Sequence, residues 1–360
     1  MKNIIHISFC AVIGIVLAFS IVKFNGQGDV LSAEKRSIAS KPTSITDFQG
    51  WDAFFNDRFG YRDQLINLAN HIDYDILNKT VKNSKAFKGK DGWFYYIDVA
   101  DGDNQGDFCK TNLLNADELA IFKADIQENA KWCDDNGIKY LFIICPNKHN
   151  VYPEYHILSR PDGITRTDQL LRAFKESGIN CIFPLDYLLE KKKTESLPLY
   201  YETDTHWNDL GAYYAFEAIK EEIIELFPDK DFPNIEYKRD VTYSETAGDI
   251  LPMLNIKEAK STRISLSPIA GSITDYFVYT KDAEENGVIS KGKNDSLPKA
   301  VVFRDSFFTA MTQYLSTMFS NVEYNWRRMT EDDKKSILAN KPDLIIFESV
   351  ERHSVTIAKE

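Results

Sequence analysis

Three short runs constrain the fold more than anything else in the chain: YLFIIC (140–145), KAVVF (299–303) and DLIIFE (343–348). The first is stopped by Pro146. Each is nearly continuously apolar rather than alternating, so each predicts a strand buried on both faces. Such strands belong to parallel sheets covered by helices. The intervening segments supply those helices. Residues 116–136 read as helical, with Gly137 at a C-cap glycine position. A second helix covers 167–176 and ends at Gly178, and CIFPL (181–185) is a further short strand. Asn208 or Asp209 can cap a helix running to residue 226, and 307–319 and 331–340 are two more. Helices alternating with short β-rich runs predict an α/β fold with a mostly parallel sheet.

The flanks are different. Residues 4–22, IIHISFCAVIGIVLAFSIV, are apolar except for His6, Ser8 and Ser20. At 1.5 Å per residue a helix there spans roughly 28 Å, close to the hydrocarbon thickness of a bilayer. A cleaved signal peptide is the alternative. The absence of a small-x-small site favours an uncleaved anchor over residues 1–24, and either reading places the rest outside the cytoplasm, in a periplasm or at a cell surface. Residues 25–45 are polar and read as a linker, leaving 46–360 as one exported domain. Within it, Leu65, Leu68, Ala69, Ile72 and Ile76 recur at helical spacing, and Asp91-Gly92 marks a turn before an aromatic strand. Arg58 and Arg62 suit a structural role in anchoring that helix. Residues 229–299 are polar with little pattern and read as a turn-rich insertion. The net charge of −11 and the lack of a basic block argue against a nucleic-acid partner. Four cysteines lie beyond the apolar run, Cys109, Cys133, Cys145 and Cys181. Their even number permits disulfides, and their spacing matches no zinc site. No metal or cofactor is expected.

Two motifs carry chemistry. Asp204-Thr205-His206-Trp207-Asn208 precedes a helix, and Arg304-Asp305-Ser306-Phe307 lies at a strand-to-helix junction. A serine there projects from the carboxyl edge of the sheet, where open α/β sheets bind ligands. A serine hydroxyl needs a base, and the base needs an acceptor that fixes its tautomer. His206 and Asp204 can fill these roles. Taken singly, Ser306 fits an N-cap and His206 a core histidine equally well. The coherence lies in the set. Lys148, beyond the strand ending at Cys145, could meet an anionic ligand or lie in solvent. Arg352 could line the same edge or pair with Glu348 or Glu351. Trp207 is expected to pack the histidine loop, and Asp249 fits a turn or a site residue.

Several separated segments resemble the alginate O-acetyltransferase family of the SGNH-hydrolase-like superfamily: NDRFGYRDQL (56–65), GKDGWFYY (89–96), PNKHNVYPE (146–154), TDTHWNDLGAYYAF (203–216), TAGDILPMLN (246–255), RDSFF (304–308) and FESVERH (347–353). The Asp-x-His element precedes the serine element, the order of that branch. The resemblance implies a three-layer α/β/α sandwich behind the membrane anchor. It implies Ser306 as nucleophile, His206 as base and Asp204 as its orienter. It also implies a polysaccharide acceptor and an acetyl donor delivered by a multispanning membrane acyltransferase. A carbohydrate esterase or an inactive glycan-binding scaffold are the competing expectations. Arg304 stands where the SGNH serine motif carries glycine. It could narrow the site, recognise a sugar carboxylate or mark altered activity. The usual oxyanion blocks are not recognisable, which leaves the backbone N–H groups of Ser306 and Phe307 as oxyanion donors.

Overall fold

The computed structural model describes residues 30–31, 36–37, 39–59, 85–246, 248–254, 256–281 and 287–359. The expected membrane anchor, the helix from residue 65 and Arg62 lie outside these. Among the described residues, no helix is long and apolar enough to cross a membrane. The chain divides into two compact units: Met1–Ser84 with Leu251–Lys257, and Lys85–Ile250 with Glu258–Glu360.

In the first unit, helix α1 (Phe48–Asp57) is capped by the Asp47 side chain, which accepts from the Gly50 N–H. Trp51, Phe54 and Phe55 pack ring on ring. Arg58 donates to the Ala39 carbonyl (2.7 Å), and the Asp57 carboxylate accepts from the Ala39 N–H (2.8 Å). Arg58 is thus a structural tie within its own unit.

In the second unit, β1 (Ala86–Lys88) and β2 (Phe94–Tyr96) form a hairpin. Its turn has positive φ at both Asp91 (53°) and Gly92 (82°), the geometry that matches strand twist in two-residue hairpins. Then follow helices α2 (Asn104–Cys109) and α3 (Ala116–Asp135), strand β3 (Lys139–Cys145), helix α4 (Arg166–Glu176), strand β4 (Cys181–Ile182), and helices α5 (Leu185–Thr194) and α6 (Asp209–Leu226). Strands β5 (Tyr237–Ser244) and β6 (Ser261–Pro268) form a second hairpin. Strands β7 (Phe277–Lys281), β8 (Gly287–Gly292), β9 (Lys299–Phe303) and β10 (Asn321–Asn325), helix α7 (Glu331–Asn340) and strand β11 (Leu344–Val350) complete the unit.

The main sheet has seven strands in the order β4-β3-β11-β9-β10-β8-β7. The first five are parallel; β8 and β7 are added antiparallel at one edge. The sheet is therefore mixed. The three apolar runs became its centre, as their two-sided burial requires. Leu141, Ile143, Val302 and Ile346 join a core with α6 and the chain after Ser306, while Phe142, Ile144, Val301 and Ile345 join a core with α3 and α4. The result is three layers, α/β/α.

The segment 229–299 contains four strands rather than irregular cover. Its edge strand β7 exposes Val278 and Tyr279, and β5 is exposed along much of its length. One-sided and edge strands carry polar residues outward, so they lack the apolar signature of the centre. Likewise, 307–319 is not one α-helix but a 3₁₀ turn (Ser306–Met311), a short α turn (Thr312–Leu315) and another 3₁₀ turn (Ser316–Met318). Phe307, Phe308, Met311, Tyr314, Leu315 and Met318 are all buried there, so tertiary packing rather than helix propensity sets the local winding.

Candidate active site

The histidine loop is closed at its base before it presents any chemistry. Tyr200 and Trp207 form an antiparallel bridge. The Tyr201 N–H donates to the His206 carbonyl (3.2 Å) and the Asn208 N–H to the Leu199 carbonyl (3.0 Å). Asn208 then caps α6, its side-chain oxygen accepting from the N–H groups of Leu210 (3.0 Å) and Gly211 (3.1 Å). Gly211 allows this closure, because a Cβ there would lie 2.1 Å from the Leu199 carbonyl oxygen. Asp204 and His206 occupy the tip.

Beneath the tip lies Lys148, which begins a helical turn after β3. Its buried amine donates to the carbonyls of Asp204 (2.6 Å), Tyr201 (3.2 Å) and Glu202 (3.3 Å). One ammonium has three donors, and the loop uses all of them. Burial pushes its pKa down to about 7, against the opposing pull of Asp249, Asp204 and Glu202. Lys148 is neither solvated nor turned towards a ligand: it clamps the loop.

The serine side is built on the sheet. Phe303 pairs with Phe347, so the residues after β9 run beside the end of β11. Asp305 spans that junction. One carboxylate oxygen accepts from the Phe307 N–H (2.9 Å) and the other from the Val350 N–H (2.7 Å). The Asp305 N–H donates to Glu348 (2.9 Å). Glu348 is buried, and desolvation together with the charge of Asp305 raises its pKa to about 8.

The two sides meet at His206. Its Nδ1 is 2.7 Å from Asp204 Oδ1, and its Nε2 is 2.8 Å from Ser306 Oγ. Burial alone would raise Asp204. The hydrogen bond and charge of His206, with the N–H groups of His206 and Asp249, outweigh it and hold this carboxyl down at about 2. An ionised carboxylate can only accept, so Nδ1 is the nitrogen that donates to Asp204, and in the neutral imidazole Nε2 is then the acceptor facing the serine hydroxyl. Phe307 lies against the imidazole with ring centroids 4.8 Å apart, and its carbonyl accepts from Trp207 Nε1 (2.8 Å).

The remaining expected residues are employed structurally. The Phe307 N–H is not an oxyanion donor, because the Asp305 cap already holds it. Of the two amides considered, only that of Ser306 has no partner among the described residues. Arg304 is buried, donates to the Asp305 carbonyl (3.1 Å) and Thr309 Oγ1 (2.8 Å), and stacks 4.5 Å over Trp326. It fastens the serine turn. Arg352 pairs with neither Glu348 nor Glu351 but with Asp101 (3.3 Å), its guanidinium 5.5 Å from the Phe307 ring. Glu348 serves Asp305, and Glu351 accepts from the Asn147 N–H (2.8 Å), Asn150 (2.5 Å) and Thr167 (2.9 Å). The four described cysteines are free.

Sequence reasoning left Asp249 undecided and did not see Thr205. Asp249 Oδ1 accepts from the Thr205 N–H (2.7 Å), Oδ2 from the Thr205 hydroxyl (2.6 Å), and its own N–H donates to Asp204 Oδ2 (3.1 Å). Burial and the Asp204 charge raise its pKa. Asp204, His206 and Asp249 are the one group among the described residues whose ligand atoms lie close enough to share a cation, within 4.8 Å. All four carboxylate oxygens already accept hydrogen bonds, so a cation would have to displace these.

A hydrogen-bonded Ser–His–Asp chain thus stands at the carboxyl edge of a mixed α/β sheet covered on both faces. The family described as "SGNH hydrolase-like domain, acetyltransferase AlgX" matches over residues 86–285, more than half of the sequence, and the chain belongs to that family. It is similar to a protein named "Probable alginate O-acetylase AlgJ" from Pseudomonas syringae pv. tomato, 26% identical over 231 residues, which are 61% of this chain and 56% of that protein. The chain thus matches little more than half the length of that curated relative. Among solved structures it resembles Bacillus cereus PatB1 with a sulfonyl adduct (TM-score 0.59, 14% identity, 78% of this chain and 100% of that one). It also resembles a DHHW family protein from Eubacterium siraeum (TM-score 0.51, 14% identity, 76% and 93%). These two likenesses are of fold.

Proposed function

We propose that the chain is a polysaccharide O-acetyltransferase working through an acetyl-serine intermediate. What carries the reading is the unbroken relay from Ser306 Oγ through His206 (2.8 Å) to Asp204 (2.7 Å). His206 Nε2 takes the Ser306 proton as Oγ attacks the carbonyl carbon of an acetyl donor. The imidazolium returns that proton to the leaving group as its bond to the acetyl carbon breaks. A sugar hydroxyl then attacks the acetyl-serine. Nε2 takes its proton, the Ser306 Oγ–carbon bond breaks, and the proton passes back to Oγ. The Ser306 N–H is the amide available to the tetrahedral oxyanion.

The similarity to a protein named for alginate O-acetylation supports a polysaccharide acceptor. The resemblance also supports an extracytoplasmic site supplied with acetyl groups by a multispanning membrane acyltransferase, with residues 4–22 as the anchor. Attack by water in place of the sugar makes the same relay an esterase. The test incubates the 360-residue chain with a chromogenic acetyl ester and uronate oligosaccharides. The expected result is an acetyl gain on the sugar that Ser306→Ala reduces on the order of 10⁴-fold. Ester loss with no acetylated sugar would assign the esterase, and equal turnover in the variant would remove the serine from the mechanism.

A further inference from the structure

We infer that Asp249 is a second carboxylate that positions the histidine, acting on it through Thr205; this rests on His206 being the base. Two independent tethers carry the inference. The first runs through the backbone: the Asp249 N–H donates to Asp204 Oδ2 (3.1 Å), which leaves Oδ1 turned to His206. The second runs through the side chain. Thr205 donates its hydroxyl proton to Asp249 Oδ2 (2.6 Å). That commitment turns an oxygen lone pair to His206 Nδ1, 3.1 Å away. Thr205 can therefore accept a share of the Nδ1–H, and cannot donate to Nδ1.

Asp249 thus selects the tautomer from a second direction. It does so as an acceptor for a hydroxyl rather than as a direct partner, since its own carboxylate stays 3.7 Å from Nδ1. The loop is shaped for this approach. Gly248 has φ 135°, and a Cβ there would lie 2.1 Å from the Thr203 carbonyl oxygen. The Ile250 N–H donates to that same carbonyl (3.3 Å). Residues 248–250 therefore lie directly against 203–205, although they are more than forty positions away in the chain.

The two tethers respond differently to substitution. Asp249→Asn keeps the backbone tether and an acceptor for the Thr205 N–H. It places an amide N–H₂ against the Thr205 hydroxyl, which must then turn its own proton towards Nδ1. Thr205→Val removes the hydroxyl, and Thr205→Ser restores it. The expected result is a fall in kcat of about tenfold in Asp249→Asn with KM little changed, a comparable loss in Thr205→Val, and recovery of most of it in Thr205→Ser. Ring nitrogen NMR shifts of His206 provide a readout that needs no turnover: wild type and Thr205→Ser report the Nδ1-protonated tautomer, and Asp249→Asn a mixture. An unaltered tautomer and kcat in Asp249→Asn, or a Thr205→Ser variant as impaired as Thr205→Val, overturns the inference. Absence of Ser306-dependent turnover in wild type would instead overturn the function proposed above, with the NMR comparison still deciding the role of Asp249.

Discussion

The serine and the histidine reach the same point by opposite means. The serine turn continues a central strand, and Asp305 stitches it to the neighbouring strand end at Val350. Its position follows from the sheet register. The histidine loop leaves the sheet altogether and is held from outside: by Lys148 beneath its carbonyls, by Asp249 against Thr205, and by Trp207 reaching the Phe307 carbonyl. The proposed nucleophile is thus fixed by the central sheet, while the proposed base and its orienter depend on a few side-chain contacts. The prediction is that damage on the serine side costs stability and activity together, and damage on the loop side costs mainly activity.

The largest expected effect is on the serine side. Asp305→Ala leaves the buried Phe307 and Val350 N–H groups without acceptors, at roughly 1–3 kcal/mol each. Chemical denaturation should show a fall of about 2–6 kcal/mol, with activity lost alongside it. Lys148→Met keeps the bulk of the side chain but removes every donor to the Asp204, Tyr201 and Glu202 carbonyls. Here kcat should fall about 10- to 100-fold with a smaller loss of stability, as loosened positioning of a base implies. Similar stability losses in the two variants would erase the distinction.

The smallest effect on activity is expected at Glu348, which binds the serine turn in its protonated form. Its folded pKa of about 8 exceeds the ordinary glutamate value of 4.5, so the folded state holds the proton longer than the unfolded chain. The favourable contribution is complete below about pH 4.5 and is lost as pH rises through 8. Glu348→Gln, which is neutral throughout, should flatten that decline in a pH series of thermal melts while leaving the fold intact. A slope unchanged by the substitution would place the titration elsewhere.

Much of this was legible because two-sided burial leaves a mark in sequence. The central strands read as unbroken apolar runs, and helix α7 was expected over residues 331–340, the range it occupies. Asp204, His206 and Ser306 were legible as a set by order and by their places at strand and helix ends. What supports them was not. Lys148 looks like any loop lysine until its partners are known to be carbonyls, which have no residue identity. Arg304 reads as a departure at a glycine position, and its fastening role depends on Thr309 and Trp326, neither of which belongs to a motif. Thr205 and Asp249 gain meaning only when the loop around Gly248 closes on residue 203. The edge strand β7 and its neighbour β8 were missed because strands outside the two-sided core lack its unbroken apolar run.

Covalent capture shows directly whether Ser306 is activated through His206. The chain is treated with phenylmethanesulfonyl fluoride and the adduct located by peptide mass spectrometry. A single sulfonyl group is expected on Ser306, absent from Ser306→Ala and formed far more slowly in His206→Ala. An adduct formed equally well in Ser306→Ala, or at full rate without the histidine, would contradict it.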